Sequence, residues 1–330
     1  MKLNKKKLDQ FVEYKNSKKK LLTPGPASLL VENLMGIEPC FGRGDLNYDK
    51  VENKVLNILK KISGHKNIVR LQGAASLALE VMILNFLKGN ILVIKTGVYS
   101  DRIYQMCRFA KKQFKKIEEV EYIDWKKIDN YKKKTDWVLA CYVETSIGLR
   151  LQIKELYRLK KRLRSNLALD ATASIGLEKN HSYADVIGYS SCKGLFGLTG
   201  ASFVSYNIKP KNEIKSFNLN IKNHENKKMT GPYHTICSLL NVLKNHNEFR
   251  KSVMINKKKI MKDMAKNLVF EKKYQPLICT QLNKKISSKN KKIIFYKPRI
   301  DIEGSIVCHL GEIHLKGKAK GSILDDLLIE

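Results

Sequence analysis

Asp185-Val186-Ile187-Gly188-Tyr189-Ser190-Ser191-Cys192-Lys193-Gly194 is the stretch on which the reading of this chain turns. Asp185 to Tyr189 form an apolar, strand-like run, Ala201 to Tyr206 form another, and Lys193 lies in the connection between them. A lysine so placed is not there to solvate a face. The return through Gly197-Leu198-Thr199-Gly200 stands its amine on a short turn over the sheet edge. That is the mounting used by lysines that form Schiff bases with carbonyl compounds.

A partner for such an amine lies upstream, where Leu167-Ala168-Leu169 runs into Asp170. A carboxylate that ends a buried strand is costly unless it faces a cation or hydrogen-bond donors. A cap or structural ion pair satisfies that need, and so does a ligand cation. Pyridoxal phosphate is a ligand of this kind: a carboxylate keeps its ring nitrogen protonated, which makes the ring an electron sink, and a lysine holds its aldehyde. Further upstream, Arg70-Leu71-Gln72-Gly73-Ala74-Ala75-Ser76 is a small-residue turn that opens a helix-like run from Leu77 to Leu84. Free amides at a helix N-terminus bind phosphate, and the Ser76 hydroxyl extends that cradle. Asn90 to Ile94 reads as a strand delivering Thr96-Gly97-Val98-Tyr99, whose ring either packs in the core or covers one face of the cofactor.

Other blocks join these in a fixed order: Leu22-Thr23-Pro24-Gly25-Pro26, Leu71-Gln72-Gly73 with Glu80, Thr96 to Arg102, Glu144-Thr145-Ser146-Ile147-Gly148, Leu169-Asp170-Ala171, Ser190 to Lys193 with Gly200, and Thr230-Gly231-Pro232-Tyr233-His234-Thr235. In content and order the chain resembles the class V aminotransferases of pyridoxal-phosphate fold type I, and within them the 2-aminoethylphosphonate:pyruvate branch, over most of its length. The resemblance implies an α/β fold, with a large domain built on a mainly parallel sheet between helices and a small, shortened C-terminal α/β lobe. It implies pyridoxal 5'-phosphate as cofactor, a homodimer, and an amino group passed between 2-aminoethylphosphonate and an oxo acid such as pyruvate. By the same resemblance Lys193 carries the cofactor as a Schiff base and shuttles the substrate proton, Asp170 pairs with the pyridine nitrogen, and Tyr99 stacks on the ring. Gly73, Ala75 and Ser76 hold the phosphate, mainly by backbone amides, and Ser191 is a further cofactor-binding residue, although the family prefers Gly-Ser-Gly-Thr where this chain has Gly73-Ala74-Ala75-Ser76. Thr145 touches the cofactor's phenolic oxygen or the substrate, and Thr230 reaches the phosphate of the neighbouring subunit.

One departure bears on the substrate. The family ends in a Phe-Arg-Ile-Gly block whose arginine clamps the substrate carboxylate in a two-pronged pair that histidine does not reproduce. Here the corresponding stretch is Cys308-His309-Leu310-Gly311, with His309 at the arginine position. Three readings stay open: Arg43, in Phe41-Gly42-Arg43-Gly44-Asp45, takes over from the partner subunit; the acceptor differs; or activity is degraded. Cysteine desulfurases share the fold but carry a histidine before the lysine, where this chain has Cys192, so their chemistry is disfavoured. The alternatives to the phosphonate reading are an alanine- or serine-glyoxylate aminotransferase and a catalytically impaired scaffold that binds polyanions on a basic surface.

Composition sets the frame. The 330 residues, 43% hydrophobic, suffice for one large core and a smaller lobe, read as a basic segment 1–20, a cofactor-binding domain 21–240 and a C-terminal domain 241–330. Seven dispersed cysteines without a Cys-x-x-Cys pair point to reduced thiols and a cytoplasmic protein. No apolar run approaches the roughly 18 residues of a membrane span, and a secretory leader is not expected. The histidines, among them His181, His224, His234, His309 and His314, show no metal-ligand spacing, so no metal is expected. The formal charge of +32 is spread over solvated-looking lysine runs such as Lys18-Lys19-Lys20 and Lys257-Lys258-Lys259. No aromatic residues interleave a basic patch, so nucleic-acid binding beyond nonspecific electrostatics is not expected.

Overall fold

Strand-forming runs and helical runs alternate through the first two thirds of the chain, and the computed structural model, which describes residues 5–310 and 326–329, shows how they pair. Seven strands form the central sheet: β1 (Asn67–Gln72), β2 (Gly89–Lys95), β3 (Ile117–Asp124), β4 (Trp137–Cys141), β5 (Asn166–Asp170), β6 (Val186–Ser190) and β7 (Ala201–Tyr206). Their spatial order is β1-β7-β6-β5-β4-β2-β3. Strand β7 runs antiparallel to both its neighbours, and the other pairs are parallel. Trp137-Val138-Leu139-Ala140-Cys141 and Leu167-Ala168-Leu169-Asp170 are buried throughout, as central parallel strands covered on both faces must be.

Two apolar clusters cover the two faces of the sheet. One is built with helices α1 (Leu46–Ser63), α4 (Ile153–Leu163) and α5 (Tyr233–Lys244), the other with α2 (Ala75–Phe86) and α3 (Val98–Phe114). Leu156 and Leu159 of α4 are buried at helical spacing beneath a lysine-rich outer face, as the sequence pattern predicts. Helix α2 is buried on nearly every side, from Ala78 to Phe86, which makes it a core element rather than a surface one.

The C-terminal lobe starts with α6 (His246–Asp263) and carries an antiparallel pair, β8 (Cys279–Leu282) with β9 (Ser305–Cys308). A domain boundary at 240 falls inside α5, and the first break in the helical run comes at Asn245. His314 lies outside the described residues. Among the described residues, no helix is long and apolar enough to cross a membrane.

Several histidines are built into the core as neutral rings. His181 is buried, bonds Ser174 Oγ through Nε2 at 2.9 Å and leaves Nδ1 without a partner. Burial, and after it the nearby His65, pushes its pKa down to about 3. The folded state therefore resists a proton that the unfolded chain accepts near 6.5, so this contribution to stability is full above that pH and is lost as pH falls towards 3. Between pH 7 and 5 it amounts to on the order of 2 kcal/mol. Urea unfolding at the two pH values is expected to show this loss in the wild type and a smaller loss in His181→Gln; equal losses would contradict the assignment.

Candidate active site

The parallel strands point their carboxyl ends at one edge of the sheet, where ligands bind in open α/β folds. Asp170 ends β5, Cys141 ends β4 and Ser190 ends β6, with Lys193 three residues beyond. A cleft at this edge is lined by Ala75, Ser76, Tyr99, Thr145, Asp170 and Lys193, together with Leu79, Arg102, Cys141, Val143, Thr172 and Ala173.

Lys193 stands in the segment joining Ser190 to Ala201, a longer connection than the tight return that the sequence suggests. Phe196 N donates to Lys193 O at 2.9 Å, Gly197 N to Ser191 O at 2.9 Å, and Ala27 N to Cys192 O at 2.8 Å. His246 of the C-terminal lobe bonds Gly194 O through Nε2 at 2.8 Å. The backbone of the segment is thus tied down on three sides, while the amine itself reaches into the cleft. Lys193 Nζ lies 5.3 Å from the centroid of the Tyr99 ring. Ser191 spends its hydroxyl on Leu198 O and Ala201 O, so it shapes the turn and is not among the cleft-lining residues.

Gly25 explains why the early Thr-Pro-Gly-Pro block belongs to this site. A β-carbon there would meet Lys193 Cγ at 2.7 Å, and its φ of +135° is one that side-chain-bearing residues rarely adopt. Gly25→Ala is expected to push the lysine stem aside and lower kcat about 100-fold, the usual cost of a displacement near 1 Å at a reacting group. Steady-state kinetics checks this; a kcat within twofold of wild type would show that the stem has room.

Asp170 is buried, and burial raises its pKa, opposed by hydrogen bonding from Thr172 and by the charges of Lys193 and Arg102. Thr172 N donates to its Oδ1 at 2.8 Å. Glu144, also buried, is the larger surprise. Its Oε2 accepts from the amides of Tyr99 and Ser100, each at 3.1 Å, and from Thr96 Oγ1 at 3.3 Å, and its Oε1 takes Ser146 Oγ. A carboxylate at the first turn of α3 suits the positive end of the helix and fixes Tyr99 over the cleft. Burial nevertheless raises its pKa against those hydrogen bonds. The sequence shows Glu144 only as a neighbour of Thr145, because its partners at the start of α3 lie more than forty residues upstream.

The residues present suit pyridoxal phosphate. Thr145 is fully buried, lines the cleft and has no hydrogen-bond partner for Oγ1. Helix α2 begins after Ala74, which offers no side-chain cap, so the first-turn amides beside Ala75 and Ser76 are available to an anion. Gly73 is held by its N–H to Gly200 O at 3.0 Å, which ties this loop to the one that follows Lys193. A buried acid, an amine, an aromatic face, a spare hydroxyl and an uncapped helix start are the donor set that this cofactor requires.

The remaining candidates are not brought into the cleft. Thr230 and Arg43 are exposed on loops and do not line the cleft. His309 is fully buried in the C-terminal lobe, where Nε2 meets Thr280 Oγ1 at 3.0 Å and Nδ1 has no partner. Burial and then the Lys257 charge hold its pKa well below the ordinary value. Lys257 Nζ donates to Thr280 Oγ1 at 2.7 Å and to Cys279 O at 2.8 Å, and burial lowers its own pKa to about 8. A neutral imidazole locked beside a buried ammonium has neither the charge nor the position of a carboxylate clamp.

The chain has the fold of the pyridoxal-phosphate fold type I aminotransferases. The solved alanine–glyoxylate aminotransferase of Nostoc sp. superposes with a TM-score of 0.78 at 15% identity, covering 93% of this chain and 94% of that one. Phosphoserine aminotransferase of Trichomonas vaginalis, solved with pyridoxal phosphate bound, superposes at 0.73 with 14% identity over 93% and 99%. In sequence, the 2-aminoethylphosphonate–pyruvate transaminase of Pseudomonas aeruginosa is 26% identical over 197 residues, 56% of this chain and 53% of that protein. No family profile matches the chain. The chain is similar to class V aminotransferases and spans about half the length of the curated relatives it matches.

Proposed function

We propose that this protein is a pyridoxal-phosphate-dependent aminotransferase that exchanges an amino group between 2-aminoethylphosphonate and an oxo acid such as pyruvate. The observation that carries the reading is the convergence of Lys193, Asp170, Tyr99 and Thr145 with the uncapped start of α2 in one cleft. The phosphonate substrate is supported by the relative from Pseudomonas aeruginosa and comes to this chain by similarity.

When bound, pyridoxal phosphate supplies an aldehyde that condenses with amines and a ring that withdraws electrons from the substrate carbon. Lys193 Nζ, which reaches into the cleft, would carry a proton to and from the amine-bearing carbon of the substrate. Asp170 keeps a negative charge at the strand end, where it favours a cationic ring nitrogen. Tyr99, fixed through the amide bonds of Glu144, closes one face and excludes water from it. Thr145 offers its spare hydroxyl to an oxygen in the cleft.

A homodimer completes the proposal, with Thr230 reaching the neighbour's phosphate and Arg43 the acceptor carboxylate. Their exposure in the single chain supports that assignment. The seven cysteines, all unbridged, fit a reducing cytoplasm.

Purified protein reconstituted with the cofactor tests the reading. A yellow absorption band that bleaches on addition of 2-aminoethylphosphonate is the expected result. Bleaching by alanine or serine alone would move the chain to the glyoxylate-type enzymes. A band indifferent to every amine would leave an inactive scaffold and overturn the proposal.

A further inference from the structure

Arg102 lies on α3, one turn beyond Tyr99. Its guanidinium sits over the Tyr99 ring, 5.3 Å from the centroid, and it lines the cleft together with Ala75 and Ser76 of α2. The same side chain lines an adjoining groove of about 380 Å³ with Glu80, Ile83 and Leu84, all from α2. Its side chain thus lies beside α2, at the rim of the cleft that Ala75, Ser76 and the strand-end residue Asp170 share.

Arg102 is half-buried; its guanidinium lies over the Tyr99 ring and its charge acts on Asp170, but among the described residues it makes no hydrogen bond and no ion pair, not even with Glu80 in the adjoining groove. It faces the same cleft as the uncapped amides of α2 and the buried, unpartnered Thr145 Oγ1. A charged donor, a set of free amides and a spare hydroxyl around one space require an acceptor with several oxygens. A guanidinium and a phosphate match in a two-pronged pair.

We propose that Arg102 clamps the phosphate of pyridoxal phosphate against the N-terminus of α2. The proposal rests on the reading of the cleft as that cofactor's site and adds a residue to which the sequence motifs gave no role. The uncapped start of α2 in the same cleft favours the cofactor phosphate over the other oxyanion that could enter here, the carboxylate or phosphonate of the substrate. Tyr99 has a second use in this arrangement, since its ring holds the guanidinium beside the cleft.

Equilibrium dialysis of wild type, Arg102→Gln and Arg102→Lys against pyridoxal phosphate and against pyridoxal, which lacks the phosphate, tests this without reference to turnover. Arg102→Gln is expected to weaken pyridoxal phosphate at least tenfold and to leave pyridoxal unchanged, which also shows that the variant folds; Arg102→Lys should recover part of the loss. Unchanged affinity for pyridoxal phosphate, with the KM of the amine substrate raised instead, would give the guanidinium to the substrate and overturn the proposal. Equal losses for both compounds would reduce Arg102 to packing against Tyr99 and overturn it as well. A wild type that binds neither compound would refute the reading of the cleft itself, an outcome distinct from binding that is insensitive to Arg102.

Discussion

Lys193→Ala is expected to lower transamination by about 10⁴-fold, the upper range for removal of a positioned proton-transfer group, and to abolish the yellow band of the reconstituted protein. The reason is geometric. The backbone around Lys193 is fixed by Ala27, His246 and its own turn, and Gly25 is the residue that lets the stem pass, so no other amine is led to the same point over Tyr99. The melting temperature should change little, because the amine reaches into the cleft and the turn is held by backbone bonds that alanine retains. Single-turnover kinetics with stopped-flow absorbance checks both statements; residual turnover within tenfold of wild type would contradict them.

Asp170→Ala is expected to cost roughly 10²–10³-fold in kcat, the rate equivalent of the 3–5 kcal/mol typical when one partner of a buried charge pair is removed. The sign of the pH effect follows from the raised pKa. Because burial holds the Asp170 carboxyl above its ordinary value, it accepts a proton at a higher pH than an exposed aspartate would, and activity on the acid side should fall earlier than for a free carboxylate. Asp170→Asn, which keeps shape and loses charge, should resemble Asp170→Ala in kcat. Recovery of wild-type kcat by asparagine would show that hydrogen bonding to Thr172, and not charge, is what the position supplies.

The cofactor side of the site was legible in the sequence because it is local. A buried strand that ends in Asp170, a small-residue turn that opens α2 and a lysine just past a strand are each decided by neighbours within a few residues. Glu144 was not legible as a support for Tyr99, since that contact depends on how β4 meets the start of α3. His309 shows a different limit. Strand residues alternate between faces, and along this strand Ile306 and Cys308 join the core around Val143 and Ala173, while His309 turns to Thr280 and Lys257. A motif position fixes the place along a strand; whether the side chain meets the cleft depends on packing around it. Arg43 and Thr230 mark a third limit: both are exposed on loops away from the cleft, and nothing local in the sequence distinguishes such positions from cleft-lining ones. Arg102 was quoted within a motif, yet its role emerged only when α2 and α3 were seen to enclose it.

Borohydride reduction of the reconstituted protein, followed by peptide mass mapping, tests the central claim most directly. The chain holds 53 lysines, so surface amines compete for any reactive aldehyde and the position of the adduct is informative. A single stoichiometric pyridoxyl-phosphate adduct on Lys193 is the predicted result. An adduct elsewhere, a scatter over surface lysines, or none at all would contradict the account.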